Sequence, residues 1–276
     1  MSSTTLSPEQ IRYIEQHIAS QPGRVQHLTF AGQSMIIKRQ ESRARPLAYG
    51  ALNLLAKTFR QPILAAVPAF GGAQGQATEV HRLRALAAAG VSVPQLLHVA
   101  DDWIALSDAG PWSIDWLLGC NPLPAGVPSK QAIWEAGLAA ILATHQKGQM
   151  LSQAFARNMH WQADEMQNGR VIFIDFEDDP TGVLAQEQGQ ARDWLLYLHS
   201  TAYLLDQDPS TLAVRLQHYI AQDTTAVQTL IKHSTASLSW LRFLPTQRKP
   251  WGRDVVSLQG AGTVMHQLAQ LLKVPS

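Results

Sequence analysis

Asn158 and Asp175 carry hard oxygen ligands on either side of a stretch that contains a predicted strand. Asp175 ends the apolar run 171–174, so a buried strand is expected to deliver one carboxylate to its own end. Carboxylate and amide oxygens suit a divalent cation such as Mg²⁺. The two residues are therefore predicted to hold a metal ion together.

Lys38 and Glu79 form a second candidate pair, of opposite charge. Lys38 ends a predicted strand after three apolar residues, and Glu79 is expected on the first turn of a helix that ends at Gly90. Each has an alternative interpretation, Lys38 as a solvated strand-end lysine and Glu79 as an acid favoured by the helix dipole. Phosphoryl transfer needs a cation on the phosphate oxygens, bound magnesium and a positioned nucleophile. The four residues together would supply the first two.

Residues 25–205 resemble the protein-kinase-like superfamily, in particular its small bacterial branch of lipopolysaccharide core and Kdo kinases and RIO-like kinases. The resemblance depends on His145 and Gly148, on Asn158 ten residues after that glycine, and on the apolar strand that leads into Asp175-Phe176. It implies a two-lobed kinase-like fold that binds ATP and Mg²⁺.

The same resemblance implies a role for each candidate residue. Lys38 would contact the α- and β-phosphates and Glu79 would orient it. Asn158 and Asp175 would bind magnesium, and Asp193 would brace the catalytic loop. Backbone groups of the interlobe hinge would contact adenine, and this hinge is assigned to Ser107, Asp108 and Gly110.

Four departures from the family pattern bear on activity. Gln153 stands where the family has its proton-accepting Asp, and a glutamine amide accepts no proton at neutral pH. Leu151 replaces the usual His or Tyr, and Glu177 stands in place of Gly and adds a carboxylate that could draw extra metal with Asp178 and Asp179. No glycine-rich loop precedes Lys38, so the phosphate cover is expected to be degenerate or to come from a flexible loop at 70–75.

The predicted fold class is α+β, with a small-sheet N-lobe and a mostly helical C-lobe. An N-terminal helical extension (1–22), the N-lobe (23–107) and the C-lobe (108–276) follow each other along the chain. Apart from the strand 171–176, long helical patterns dominate after residue 111. Because strands and helices do not alternate along the chain, a parallel α/β sheet is disfavoured. Helices are expected at 8–20, 77–90, 112–118, 129–146, 190–205, 210–229 and 259–272.

Composition excludes several classes of protein. The chain has 276 residues, a net charge of +1 and one cysteine, Cys120. The charge balance argues against a nucleic-acid partner, and a lone cysteine excludes an internal disulfide or a Cys-based zinc site. The N-terminus has no signal-peptide pattern, so a cytoplasmic protein is expected, with contact at the inner membrane face as an alternative.

Two basic segments bear on that alternative. Residues 46–68 are predicted to form a basic amphipathic helix that either lies on a membrane or packs on its own domain. Residues 248–253 are basic and contain Trp251, which fits either an anionic lipid headgroup or a solvated loop.

Three functional hypotheses remain open from sequence. The first is an ATP-dependent phosphotransferase that acts on a sugar or a lipid-linked glycan, the acceptor class being implied by the resemblance. The second is a pseudokinase that binds nucleotide and regulates or scaffolds a partner, with Gln153 as its signature. The third is a helical interaction protein in which the spacing is coincidental.

Overall fold

The computed structural model describes residues 6–40, 67, 71–163 and 169–273. Its architecture is α+β, a small antiparallel sheet followed by a largely helical remainder, which confirms the predicted class. The basic helix expected at 46–68, and with it the membrane contact proposed for that segment, lies outside the described residues apart from Val67.

Four strands form the first sheet, in the antiparallel order β1–β2–β4–β3. They are β1 (Val25–Phe30), β2 (Gln33–Arg39), β3 (Leu96–Val99) and β4 (Trp103–Ser107). Side chains of β4 alternate between two cores, since Trp103 and Ala105 belong to one apolar cluster and Ile104 and Leu106 to the other. The sheet is therefore covered on both faces.

Helix α1 (Pro8–Ser20) covers one face of this sheet through Ile14 and Ile18. Its start is fixed by a capping box, in which Gln10 N–H donates to Ser7 Oγ at 3.2 Å and Ser7 N–H donates to Gln10 Oε1 at 2.8 Å. Pro8 occupies the first turn, where its missing N–H has no cost. The predicted helix bounds are confirmed.

Helix α2 (Gly72–Ala88) lies on the opposite face and packs Val80, Leu83 and Leu86 into the larger core. The helix begins five residues earlier than the sequence pattern indicated. The predicted flexible loop at 70–75 is thus wrong for residues 72–75, which form the first turn of α2.

A second antiparallel sheet, which the sequence did not reveal, follows residues 107–110. Its order is β5–β6–β7, with β5 (Trp112–Ser113), β6 (Met159–Ala163) and β7 (Gly169–Phe173). The expectation that only one strand occurs after residue 111 is therefore wrong. Strands β6 and β7 form a hairpin whose open ends bring residues 158 and 174 together.

Helices make up most of the remainder. Those described are α3 (Ile114–Gly119), α4 (Lys130–Gln146), α5 (Gln186–Thr201), α6 (Pro209–Ile220), α7 (Thr225–Leu238) and α8 (Arg253–Leu271), with short 3₁₀ turns at Ala156–Asn158, Pro180–Gly182, Ala202–Leu204 and Ser239–Phe243 and a four-residue turn at Arg248–Trp251. The single helix expected at 210–229 is two helices, because Thr224 caps a new one by accepting from Val227 N–H at 3.3 Å.

The large core joins α4 and α5 through buried aromatic side chains. Trp134 Nε1 donates to Thr201 Oγ1 at 3.0 Å, and Tyr197 OH donates to Trp134 O at 3.0 Å. These hydrogen bonds satisfy polar atoms that would otherwise be buried without a partner.

No helix in the described ranges combines the length and apolar character needed to cross a membrane.

Candidate functional site

A cleft of about 340 Å³ lies between the first sheet and the β6–β7 hairpin. Lys38 and Glu79 line it on the side of the sheet and α2, and Asn158 and Asp175 line it on the side of the hairpin. Residues 107–110 close one end. The structure thus brings together the seven residues predicted to bind nucleotide and metal: Lys38, Glu79, Ser107, Asp108, Gly110, Asn158 and Asp175.

Lys38 is held by three carboxylates. Its Nζ lies 2.7 Å from Glu79 Oε1, 3.1 Å from Glu177 Oε1 and 3.4 Å from Asp175 Oδ1. The Lys38 side chain is 12% exposed and that of Glu79 is 4% exposed, so solvent screens this pair weakly. The expected Lys38–Glu79 ion pair is present, and Lys38 is not a solvated strand-end lysine.

Glu79 lies in the interior of α2 and not on its first turn, because the helix begins at Gly72. The helix dipole acts mainly on the terminal turns and therefore does not account for Glu79. This position places Glu79 over β2, where its carboxylate meets Lys38. Gly71, Gly72 and Gly75, at the start of α2, line a small cavity beside the same ion pair.

Glu177 belongs to this charge cluster as well. It forms ion pairs with both Lys38 and Arg24. The two carboxylates after it are engaged elsewhere, since Asp178 accepts from Ser152 Oγ and Asp179 accepts from Thr181. Within the described residues no three His, Cys, Asp or Glu side chains are arranged to hold a metal ion, so the extra metal expected at 177–179 is not supported.

The β6–β7 hairpin positions Asn158 and Asp175. Met159 pairs with Phe173 in the strand register, and Ile174 N–H donates to Asn158 O at 2.9 Å. Asn158 Nδ2 donates to Gln153 O at 3.2 Å, which leaves its Oδ1 as the atom able to act as a ligand. Asp175 adopts a left-handed φ of 69°, a conformation that is uncommon outside glycine and concentrated at functional sites.

The predicted hinge, residues 107–110, is ordered by the side chain of Asp108. Its Oδ2 accepts from Ser34 Oγ at 2.8 Å and its Oδ1 accepts from Gly110 N–H at 2.9 Å. A Cβ at Gly110 would lie 2.9 Å from Trp161 O, so only glycine lets the hinge approach β6 this closely. His160 Nδ1 lies 2.8 Å from Gly110 O, a further contact between hinge and hairpin.

A buried network of charged side chains holds the loop 147–157, which precedes Asn158. Asp193 Oδ2 accepts from Leu151 N–H at 2.7 Å and lies 3.3 Å from His145 Nε2. His145 Nδ1 lies 2.7 Å from Asp223 Oδ2. Asp193 is thus in the bracing position that the sequence suggested, and His145 braces the loop with its ring as well as with its backbone.

Burial alone would lower the pKa of His145, but the hydrogen bonds and charges of Asp193 and Asp223 outweigh it and raise that pKa. For Asp223, burial alone would raise the pKa, because it disfavours the charged carboxylate. The hydrogen bond and charge interaction with His145 outweigh this effect and lower the pKa of Asp223. Both shifts favour an imidazolium held between two carboxylates.

Gln153, which the sequence resemblance places at the family's catalytic Asp position, does not line the cleft. Its carbonyl accepts from Phe155 N–H at 2.7 Å and from Asn158 Nδ2, so its backbone organises the loop. The Gln153 side chain hydrogen-bonds the carboxylate of Asp178, a residue that is 2% exposed. Burial raises the pKa of Asp178, and hydrogen bonds from the Ser152 and Gln153 side chains oppose that rise.

Three residues of this region escaped sequence reasoning. Arg24, His27 and His160 line the cleft, and Arg24 also binds Glu177. Arg24 directly precedes β1, where a basic residue has no distinctive local pattern. The alternation of β6 would have revealed His160 only if that strand had been recognised.

A comparison of the chain with protein-family models gave no match, and a comparison with curated proteins gave no significant match.

Proposed function

We propose that the chain has a two-lobed kinase-like fold and is an ATP-dependent phosphotransferase of the lipopolysaccharide-kinase-like type, with a sugar or a lipid-linked glycan as acceptor. The observation that carries the proposal is the convergence of the Lys38–Glu79 ion pair with Asn158 and Asp175 in one cleft. This is the combination that phosphate binding and magnesium binding require.

The donor set fits magnesium bound together with phosphates. Mg²⁺ is usually held by one or two protein carboxylates plus phosphate oxygens and water. Asp175 supplies a carboxylate and Asn158 Oδ1 an amide oxygen at the open end of the same hairpin. When bound, the ion would neutralise negative charge on the phosphates.

Lys38 would contact the phosphates while Glu79 keeps its ammonium oriented. Its present contact with Asp175, at 3.4 Å, is longer than its contact with Glu79 and is the one that a phosphate oxygen would replace. The glycine-rich start of α2 lies beside this pair, and a helix N-terminus favours phosphate. Backbone groups of 107–110 would meet the adenine edge.

A smaller cavity of about 140 Å³ next to the loop is suited to the acceptor. Arg157, which lines it, directly precedes Asn158, which lines the cleft. His199, Arg253 and Ser257 contribute further hydrogen-bonding groups, and Phe155 and Tyr203 add aromatic surface. Such a mixture of charged, polar and aromatic groups fits a hydroxyl-rich ligand better than an apolar one.

The alternative function is a pseudokinase, a nucleotide-binding module without efficient transfer. It is favoured by Gln153, whose side chain cannot accept the acceptor's proton, and by the burial of the neighbouring Asp178 away from the cleft. Because the transition state of phosphoryl transfer is largely dissociative, a missing base lowers the rate without abolishing it.

Labelling with γ-phosphate-labelled ATP separates these functions. The full chain, Mg²⁺ and extracted cell lipids and glycans are expected to yield a labelled acceptor, at a rate that Gln153→Ala leaves nearly unchanged and Asp175→Asn abolishes. Nucleotide binding without any labelled acceptor would favour the pseudokinase. Absence of nucleotide binding would contradict both.

A further inference from the structure

The C-terminal part of the chain has a one-sided charge distribution. No acidic residue occurs between Asp223 and Asp254, whereas Lys232, Arg242, Arg248, Lys249 and Arg253 lie in that interval. The chain as a whole has a net charge of only +1. This interval therefore carries five positive charges and no negative one.

The same interval presents large apolar side chains to solvent. Phe243 is 75% exposed and Trp251 is 58% exposed, the two highest values among the exposed large hydrophobic residues of the described chain. Trp240, 43% exposed, is close in sequence to Phe243. Every residue from 246 to 254 is exposed as well. Clustered exposure of this kind marks an interaction surface more often than scattered single residues do.

Residues 240–253, named here the aromatic–basic surface, are fixed to the body of the protein by α8. The Arg242 carbonyl accepts from Gln259 Nε2 at 3.2 Å, and a Cβ at Gly262 would lie 2.5 Å from Arg242 N. Arg242 thus lies beside Gly262, whereas Trp251 comes just before α8 begins at Arg253. At a rise of 1.5 Å per residue, Arg242 and Trp251 are therefore separated along the α8 axis by roughly 14 Å. The surface is anchored at both ends and is not a loose tail.

Two of its cations, Arg248 and Lys249, are exposed and available to an external anion. The ion pairs of the described residues include neither Arg248 nor Lys249. Arg242 stacks over the Phe243 ring with its guanidinium carbon 4.1 Å from the ring centre. Arg253 is partly neutralised by Asp115 at 3.5 Å. Exposed aromatic rings beside unpaired cations match the interface of an anionic bilayer, where the rings enter the headgroup region and the cations meet lipid phosphates.

We propose that the aromatic–basic surface docks the protein onto membranes that contain anionic phospholipids. This inference is independent of the proposed nucleotide site, because no residue of the surface lines the nucleotide cleft. Arg253, at the end of the surface, also lines the proposed acceptor cavity and is left unchanged in the test below. A bilayer is favoured over a protein partner because every charged residue of the surface is positive and these residues flank aromatic rings.

Sedimentation of the full chain with vesicles tests the proposal. Binding is expected to vesicles of phosphatidylcholine with 30% phosphatidylglycerol, to be weak with phosphatidylcholine alone, and to fall steeply in 0.5 M NaCl. Arg248→Glu/Lys249→Glu is expected to lower the partition coefficient at least about tenfold, and Phe243→Ala/Trp251→Ala to lower it by a similar factor. Unchanged thermal unfolding would show that these surface variants remain folded.

Matched controls locate the contact. Arg12→Glu/Arg84→Glu makes the same charge change at exposed positions elsewhere, and Trp116→Ala removes another half-exposed tryptophan; both should bind like the wild type. Loss of binding in the controls and the test variants alike would overturn this location, as would binding that all variants retain. Failure of the wild type to bind anionic vesicles would overturn the proposal that the surface contacts a membrane. Self-association that Phe243→Ala/Trp251→Ala abolishes would overturn it as well and assign the surface to contact with a second copy of the chain.

Discussion

Replacing Lys38 with methionine is expected to weaken Mg·ATP binding by about 10- to 100-fold, since a hydrogen bond to a charged group contributes about 1.5–3 kcal/mol. The same change is expected to destabilise the fold by about 3–5 kcal/mol, because it leaves the buried Glu79 carboxylate without its partner. Isothermal titration and urea unfolding measure the two effects separately.

A second substitution distinguishes these effects. Replacing a buried ion pair by apolar side chains is often neutral, whereas breaking it is not. Lys38→Met/Glu79→Leu is therefore expected to recover most of the lost stability, with Glu177 still paired to Arg24. Nucleotide binding should remain weak. Recovery of binding together with stability would mean that Lys38 is only structural.

Asp193→Ala is expected to lower the free energy of unfolding by about 3–5 kcal/mol, the largest effect on stability predicted outside the cleft. Asp193 is fully buried, and its loss leaves both Leu151 N–H and His145 Nε2 without an acceptor. Asp193→Asn keeps one acceptor oxygen and should lose less. Asp206→Ala, at an exposed position, should change little in urea unfolding. Equal losses in Asp193→Ala and Asp206→Ala would contradict the bracing role.

The raised pKa of His145 gives this network a pH dependence of defined sign. The folded state binds the proton more tightly than the unfolded state, so the contribution of His145 is fully present below its ordinary pKa of about 6.5 and is lost as pH rises through the folded pKa. The wild type should lose stability over that window, and His145→Gln should not show this loss. A flat profile for the wild type would indicate a neutral His145.

Local sequence signals predicted the elements that depend on local interactions. Ser7 and Pro8 define the start of α1, which was expected at residue 8. The start of α2 was missed because Gly72 and Gly75 have poor helix propensity, and its burial against the sheet overrides that propensity. Strand β6 was missed although its residues alternate between apolar and polar, because an alternation of only five residues is a weak signal for a strand.

Within the candidate site, too, local sequence predicted some residues, whereas the long-range contacts were known only from the structure. Lys38, Asn158 and Asp175 follow from strand ends and spacing, and the structure brings them into one cleft. The contacts that long-range folding creates had no local signal. Arg24 and Glu177 are 153 residues apart, and His145 and Asp223 are 78 residues apart. Glu177 was recognised as an added carboxylate, but its ion pairs with Lys38 and Arg24 could only be learned from the structure.

Titration of ATP into the full chain with and without Mg²⁺ tests the central claim, that the cleft holds nucleotide and metal together. ATP should bind the wild type at least about tenfold more tightly with Mg²⁺, and Asp175→Asn should abolish that difference, while Asp102→Asn, at an exposed position, keeps it. ATP affinity that is independent of Mg²⁺, or a magnesium effect that survives in Asp175→Asn, would contradict the account.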